Sequence, residues 1–402
     1  MSAHARRHPS TICFGTDPTV TSQSLDVTTL TADLIRHPSV SPDPGESQIA
    51  LGATLEAMGF VVTHLPFGEG AERTPNLFAR LGTGKPHLCF AGHTDVVPPG
   101  GSDWAHGPFA GTVENGRLYG RGACDMKGGI AAFVAAVSAF LARTPTPRGS
   151  ISLLITGDEE GPARFGTRKV LEWMKQHDQI PDFCVVGEPT NPVAMGEVIK
   201  IGRRGSLNAH IIVNGRQGHV AYPHRADNPV HRLLRILAEL TAEPLDNGSE
   251  WFEPSSLQVT SVDVGNTATN VIPAMAEARL NIRFNDLHTG AALRGWIETI
   301  CMRHAPGATV NVSVSVSGES FLTKPGPDVS ALSAAVKAVT GRDPKLDTGG
   351  GTSDARFIAQ YCPVAEFGLV GASMHQIDEH VAVSDLASLT AIYENLLERT
   401  VA

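Results

Sequence analysis

Two rhythms of apolar residues run along this chain. Outside the middle of the sequence, short apolar runs alternate with stretches of helical periodicity. The spacing predicts helices over Leu25 to Ile35 and over Glu46 to Met58, the second stopped by Gly59, a residue type that commonly ends helices. His87 to Phe90, Ser150 to Thr156, Phe183 to Val186 and Pro363 to Leu369 are apolar runs of strand length. Between the first two, Ile130, Phe133, Val134, Val137, Phe140 and Leu141 recur at helical spacing, which predicts a helix over Met126 to Arg143. Strands alternating with helices imply an α/β sheet covered on both faces.

The rhythm changes between about residues 205 and 318. Strands are expected over Ser206 to Val213, Ser255 to Val264, Glu277 to Phe284 and Thr309 to Ser317. Helices are expected over Asn228 to Ala242 and Thr289 to His304. Strict alternation from Thr309 to Val316 marks a half-buried strand. The order is βαββαβ, that of a ferredoxin-like α+β unit. The organisation expected is therefore a flexible extension over residues 1–24, a metal-binding catalytic domain over 25–204 and 319–402, and an inserted domain over 205–318.

Composition narrows the function classes. The chain has 402 residues, 42% hydrophobic and 18% charged, which suits a globular protein of two domains. A net charge of −9 without a basic stripe argues against nucleic acid as a partner. The six cysteines are scattered and form no CxxC pair, as expected of a reduced, cytoplasmic protein. No apolar run approaches the roughly 20 residues that span a bilayer, so no membrane association is expected. The first 24 residues lack the apolar core of a signal peptide.

Candidate chemistry lies just beyond the apolar runs. His93, Asp125, Glu160, Glu188 and His375 each follow a predicted strand or open a predicted helix. In open α/β sheets, ligands bind beyond the carboxyl ends of strands, so residues distant in sequence can meet there. Two imidazoles with three carboxylates suit borderline divalent ions, zinc first and cobalt or manganese as substitutes. Five ligands exceed what one tetrahedral zinc takes, and fit two ions if one carboxylate bridges them. Each residue also has a plainer reading: a lone histidine is more often structural, and Asp125 at a helix start is commonly a cap. Asp95, two residues after His93, is placed to hold that imidazole from behind.

The segments GHTDVVPPG (92–100), GRGACDMKGG (120–129), TGDEEGP (156–162), VVGEPT (185–190) and GASMHQIDEH (371–380) resemble the metal-site motifs of the zinc aminoacylase and carboxypeptidase family. The similarity runs from about residue 25 to the end. It implies a zinc-peptidase-like domain with an inserted lid and dimerisation domain, and two Zn2+ per subunit. It implies that Asp125 bridges the ions, that His93 and Glu188 complete one site, and that Glu160 and His375 complete the other. Glu159 is then the general acid/base and Asp95 the orienting residue. Two such ions lower the pKa of a water they hold from ~15.7 to ~7. Cys124 stands where the family often has another small residue, and is expected as a buried apolar side chain.

Two further segments point to substrate. Arg203-Arg204-Gly205-Ser206 with Gln217 to Arg225, and Gly349 to Asp354, look like the branch of the family that takes succinylated diamino acids. Such substrates carry several carboxylates, for which Arg204 and Arg283 are candidate partners. Ser206, Tyr222, Asn270 and Thr352 are candidate hydrogen-bonding groups, and Gly351 lets backbone N–H groups approach an anion. By the resemblance, His219 reaches the active site of a partner subunit, so a homodimer through the insert is expected. Rival readings are an acetylornithine deacetylase, a related aminoacylase or dipeptidase, and a catalytically silent metal-binding homologue. A serine-hydrolase elbow and a P-loop are both missing from the sequence.

Overall fold

The computed structural model describes residues 24–402 apart from positions 44 and 102; the expected extension over 1–24 lies outside the described residues but for its last position. Eight strands form one mixed sheet. In spatial order they are Val61–His64, Leu77–Leu81, Ser150–Thr156, His87–His93, Phe183–Val186, Val364–Glu366, Val198–Lys200 and Lys345–Asp347. The central four run parallel to one another, and antiparallel pairings flank them on both sides. Their carboxyl ends therefore open on one edge of the sheet.

Every residue of His87–His93 and Ser150–Thr156 is buried, because helices cover both faces. Successive side chains point to opposite faces. Leu88 and Phe90 join the core with helices Val27–Arg36, Lys127–Arg143 and Val383–Thr400, while Cys89 and Ala91 join a second core with helix Thr167–Gln176. The Phe90 ring stacks on Phe133 at 4.6 Å and meets Tyr393 edge-on at 5.7 Å.

The first predicted strand is longer than its apolar run. It continues through Ala91-Gly92 to His93, so the histidine is the last residue of a buried strand. The first helix starts at Val27, where the Asp26 carboxylate caps it by accepting from the Thr29 N–H at 2.7 Å. Asp125 caps nothing: helix Lys127–Arg143 begins after Met126 with no side-chain cap bond. Helices Pro327–Thr340 and Val383–Thr400 were not singled out by the apolar spacing.

Between residues 205 and 318 the elements Gly205–Asn214, Pro229–Leu240, Ser256–Asp263, Met275–Phe284, Gly290–His304 and Thr309–Gly318 follow the order βαββαβ. The four strands form a separate, wholly antiparallel sheet. Leu207, Ile211, Leu233, Ile236, Ile282 and Ile297 belong to its own core. The edge strand Thr309–Gly318 alternates between exposed and half-buried positions. At the two ends of this unit, Gly202–Arg203 pairs with Phe321–Leu322 in a short ribbon.

Candidate metal centre and active site

The four parallel strands set the site. His93 ends one strand, and Glu188 lies two residues beyond Val186 on the next. Glu159 and Glu160 follow Thr156 on the other side, and His375 follows Val364–Glu366 after a longer loop. Asp125 is brought in by the turn that precedes helix Lys127–Arg143.

The five predicted ligands meet. Asp125 lies between the two imidazoles: its Oδ1 is 3.3 Å from His93 Nε2 and its Oδ2 is 3.2 Å from His375 Nε2. Glu188 Oε1 is 3.8 Å from His93 Nε2, and Glu160 Oε1 is 2.9 Å from His375 Nε2. Ligand atoms of His93, Asp125 and Glu160 lie within 4.8 Å of one another, as do those of His93, Glu159 and Glu188. His375 has φ 62°, a left-handed conformation that residues other than glycine seldom adopt and that tends to mark functional sites.

Charge explains the protonation pattern. Burial alone would lower the His93 imidazolium pKa, but Asp125, Glu188 and Asp95 raise it well above the ordinary value. Hydrogen bonds to Asp125 and Glu160 push His375 up to about 10. Burial and the nearby Asp125 push Glu188 up to about 8. Burial, then Glu188, Asp354 and Glu160, raise the Glu159 carboxyl well above its usual range, against the opposing pull of His93. Burial opposes ionisation of Asp125, yet the two imidazoles hold its pKa down. So many acids around two imidazoles call for positive charge, which protons or divalent cations can supply. Asp125 Oδ1 is buried with no hydrogen-bond partner, an acceptor left for a cation. The donor set thus fits a pair of divalent ions.

Asp95 holds the His93 ring through its main chain. His93 Nδ1 meets the Asp95 main-chain oxygen at 2.8 Å, while the nearest Asp95 carboxylate oxygen is 3.7 Å away. The carboxylate instead accepts from the N–H groups of Glu159 (3.2 Å) and Glu160 (3.0 Å). The reason is backbone demand: these amides leave the sheet after Thr156 and need an acceptor. Asp95 therefore fixes the Glu159-Glu160 turn, and its carbonyl fixes the ring. With Nδ1 so engaged, Nε2 faces Asp125 and Glu188.

The predicted substrate residues fall into three groups, with Arg204 apart from them. His219 and Tyr222 have rings 5.7 Å apart, and the Asn270 carbonyl accepts from the Val220 N–H on the same ribbon. His219 and Tyr222 are exposed, and the Ala221 N–H lies 3.1 Å from His219 Nδ1. Ser206 and Arg283 are register partners in the insert sheet. Gly351 and Thr352 lie in the loop between Asp347 and Ala355. Arg204 sits 3.8 Å from Glu253, with a buried Nε that has no partner. None of these contacts joins the groups to the metal-ligand cluster.

Arg203, not Arg204, enters the interior. Its Nε donates to Glu366 Oε1 at 2.9 Å, its Nη2 to Glu366 Oε2, and its Nη1 to the Gly349 carbonyl at 3.2 Å. Ser353 Oγ adds a bond to Glu366 at 2.7 Å, so the glycine loop is held at both ends. Glu366 stands inside the apolar run Pro363 to Leu369, and a charge there needs a partner; that was the signal in the sequence. Asp354, the last residue of the Gly349 to Asp354 segment, is buried. Cys124 is fully buried, and burial pushes its thiol well above the ordinary pKa.

Fold and site together define a metal-dependent hydrolase. The chain belongs to the peptidase family M20/M25/M40, whose model matches residues 89–399. A relative from Gluconacetobacter diazotrophicus, described as succinyl-diaminopimelate desuccinylase, is 69% identical over 94% of this chain and 98% of its own length. The crystal structure of aminopeptidase PepT from Bacillus cereus matches with a TM-score of 0.76 at 18% identity, covering 93% of this chain and 98% of its own. A Bacillus subtilis protein described as a dinuclear metal-binding peptidase of the M20 family matches with a TM-score of 0.68 at 18% identity, over 92% of this chain and 96% of its own. At such identity these two structures speak for the fold. Among the described residues no helix is long and apolar enough to cross a membrane.

Proposed function

We propose that this chain hydrolyses N-succinyl-LL-2,6-diaminopimelate to succinate and LL-2,6-diaminopimelate, a step of diaminopimelate and lysine biosynthesis in the cytoplasm. The observation that carries the hydrolytic reading is Asp125 set between two imidazoles, one on each carboxylate oxygen, with Glu159 alongside. The choice of substrate rests on the 69% identity to the Gluconacetobacter relative.

In this reading His93 and Glu188 would hold one Zn2+, Glu160 and His375 would hold a second, and Asp125 would serve both. Bound divalent ions polarise a carbonyl and make a water acidic near neutral pH. Glu159 takes a proton from the attacking water and delivers it to the departing amine nitrogen. The water oxygen joins the succinyl carbonyl carbon and the C–N bond breaks, which balances the reaction. Burial, the largest cause of the raised Glu159 pKa, favours its taking up that proton. Asp95 keeps Glu159 in place through its amide.

Arg204, Arg283, Ser206, Tyr222, Asn270, Gly351 and Thr352 are the groups to which we assign substrate contacts. The unit over 205–318 serves as lid and dimer contact, and its His219 reaches the site of the second subunit. The exposure of His219 and Tyr222 supports a role completed by a partner chain.

The test is hydrolysis of N-succinyl-LL-2,6-diaminopimelate by zinc-loaded protein beside a chelator-treated control and beside N-acetylornithine. We expect turnover of the succinyl compound that chelation abolishes and zinc restores. Preference for N-acetylornithine would overturn the substrate assignment. Turnover unaffected by complete metal removal would overturn the mechanism.

A further inference from the structure

Three loops that carry His93, Asp125 and His375 meet on one buried ion pair. Glu379 is fully buried and Arg121 is 2% exposed. Glu379 Oε2 accepts from Arg121 Nη1 at 2.8 Å. Its other oxygen, Oε1, accepts from the main-chain N–H groups of Cys124 at 3.1 Å and Asp125 at 3.3 Å, and from the Cys124 thiol at 3.4 Å. The main-chain oxygen of Glu379 accepts from the Gly120 N–H at 2.9 Å. Arg121 reaches in the opposite directions. Nη1 also donates to the Gln376 carbonyl, next to His375, at 3.1 Å, and Nη2 to the Pro98 carbonyl at 3.3 Å. The guanidinium lies 5.2 Å from the Trp104 ring centre.

We propose that Glu379 and Arg121 are positioning residues for the metal centre, setting the separation of Asp125, His375 and the His93–Pro98 segment. The inference rests on the two-ion reading of the site. Its physical basis is the division of labour within the pair. The carboxylate binds the amide of Asp125 itself, so it fixes the backbone of the one ligand set between both imidazoles. The planar guanidinium alone carries enough donors in a fixed fork to bond a carboxylate and two carbonyls on separate loops. A lysine would keep the charge and lose the fork. Partners behind metal ligands typically alter metal affinity by about 10–100-fold when removed.

The experiment uses the full chain in three variants: Glu379→Gln, Arg121→Lys and Leu233→Ala. Leu233 is buried in the insert core, so its truncation destabilises the protein away from the ligands. Zn2+ affinity is measured by competition with a chromophoric chelator, and the Co2+-loaded proteins are compared by visible absorption. We expect Glu379→Gln to weaken binding of at least one ion by about 10–100-fold and to change the Co2+ spectrum. Arg121→Lys should shift both in the same direction by less, and it keeps the test open if Glu379→Gln does not fold. Leu233→Ala should lower Tm while leaving affinity and spectrum as in wild type. Wild-type affinity and spectrum in either folded Arg121 or Glu379 variant would overturn the positioning role. Equal loss in Leu233→Ala would reduce the pair to a general brace. Failure of the wild-type chain to take two ions would instead overturn the two-ion reading beneath it.

Discussion

The eight-stranded sheet and the four-stranded sheet handle charge in opposite ways. In the first, strands such as His87–His93 are buried throughout, and acids and imidazoles collect where the parallel strands end. In the second, the strand Thr309–Gly318 alternates with solvent, and charged groups pair where they stand. His210 and Glu277 lie 2.8 Å apart on neighbouring antiparallel strands, both half-buried. The difference follows from topology. Parallel strands need crossovers that cover both faces, so charges at their ends lose water and perturb one another. An antiparallel sheet with one open face leaves its polar groups hydrated. Chemistry therefore gathers in the first region, while polar groups of the second stay near solvent.

The sharpest way to break this contrast is at Glu159. Replacing it by Gln should lower kcat by about 10²–10⁴-fold, while bound zinc, read by atomic absorption, stays near the wild-type level. If kcat is unchanged, the acid/base role falls. Next in size is a pair of core truncations. Ile211→Ala and Leu153→Ala both remove fully buried side chains, one from each sheet. Each should cost about 2–5 kcal/mol in denaturant unfolding. Only Leu153→Ala, whose strand leads to Glu160, should also reduce zinc affinity. Equal effects on zinc would erase the distinction between the regions.

A pH effect of similar size comes from His87, at the start of a central strand. Burial and the nearby Arg80 lower its pKa to about 4, and its Nε2 lies 2.7 Å from Ser152 Oγ. The ring is neutral in the fold and takes a proton more readily when unfolded. Stability is thus fully present above about pH 6.5 and is lost as pH falls from there towards 4, by up to about 3 kcal/mol. His87→Gln should flatten the Tm profile across that window, and an unchanged slope would remove His87 as its cause. The smallest effect is expected at His210→Gln on the half-open insert sheet, about 0–1 kcal/mol, because a solvated pair contributes little. A loss above 2 kcal/mol there would mean that this face is covered.

How much was legible in advance varies with the kind of interaction. Ser150–Thr156 and Phe183–Val186 match their predicted runs end to end, since Gly149 and Gly157, and Asp182 and Gly187, bound them. His87–His93 outran its run because Gly92 and His93 continue the ladder without being apolar. The ligand residue types showed themselves by standing just past those runs. The expectation that Asp95 holds the His93 ring left open which of its oxygens does so, because nothing local says whether its carbonyl or its carboxylate turns to the ring.

By itself the sequence determined the alternation of strands and helices, the βαββαβ order of the middle unit, and the supply of imidazoles and carboxylates. Periodicity and residue chemistry are local, and one chain suffices to read them. Tertiary structure alone decided that Asp125 would lie between two histidines 282 positions apart (375 − 93). It alone turned Arg203 rather than Arg204 inward, and tied Arg121 to Glu379 across 258 positions. Such choices depend on which strands become neighbours and which charges lose their water, and both are properties of the packed molecule.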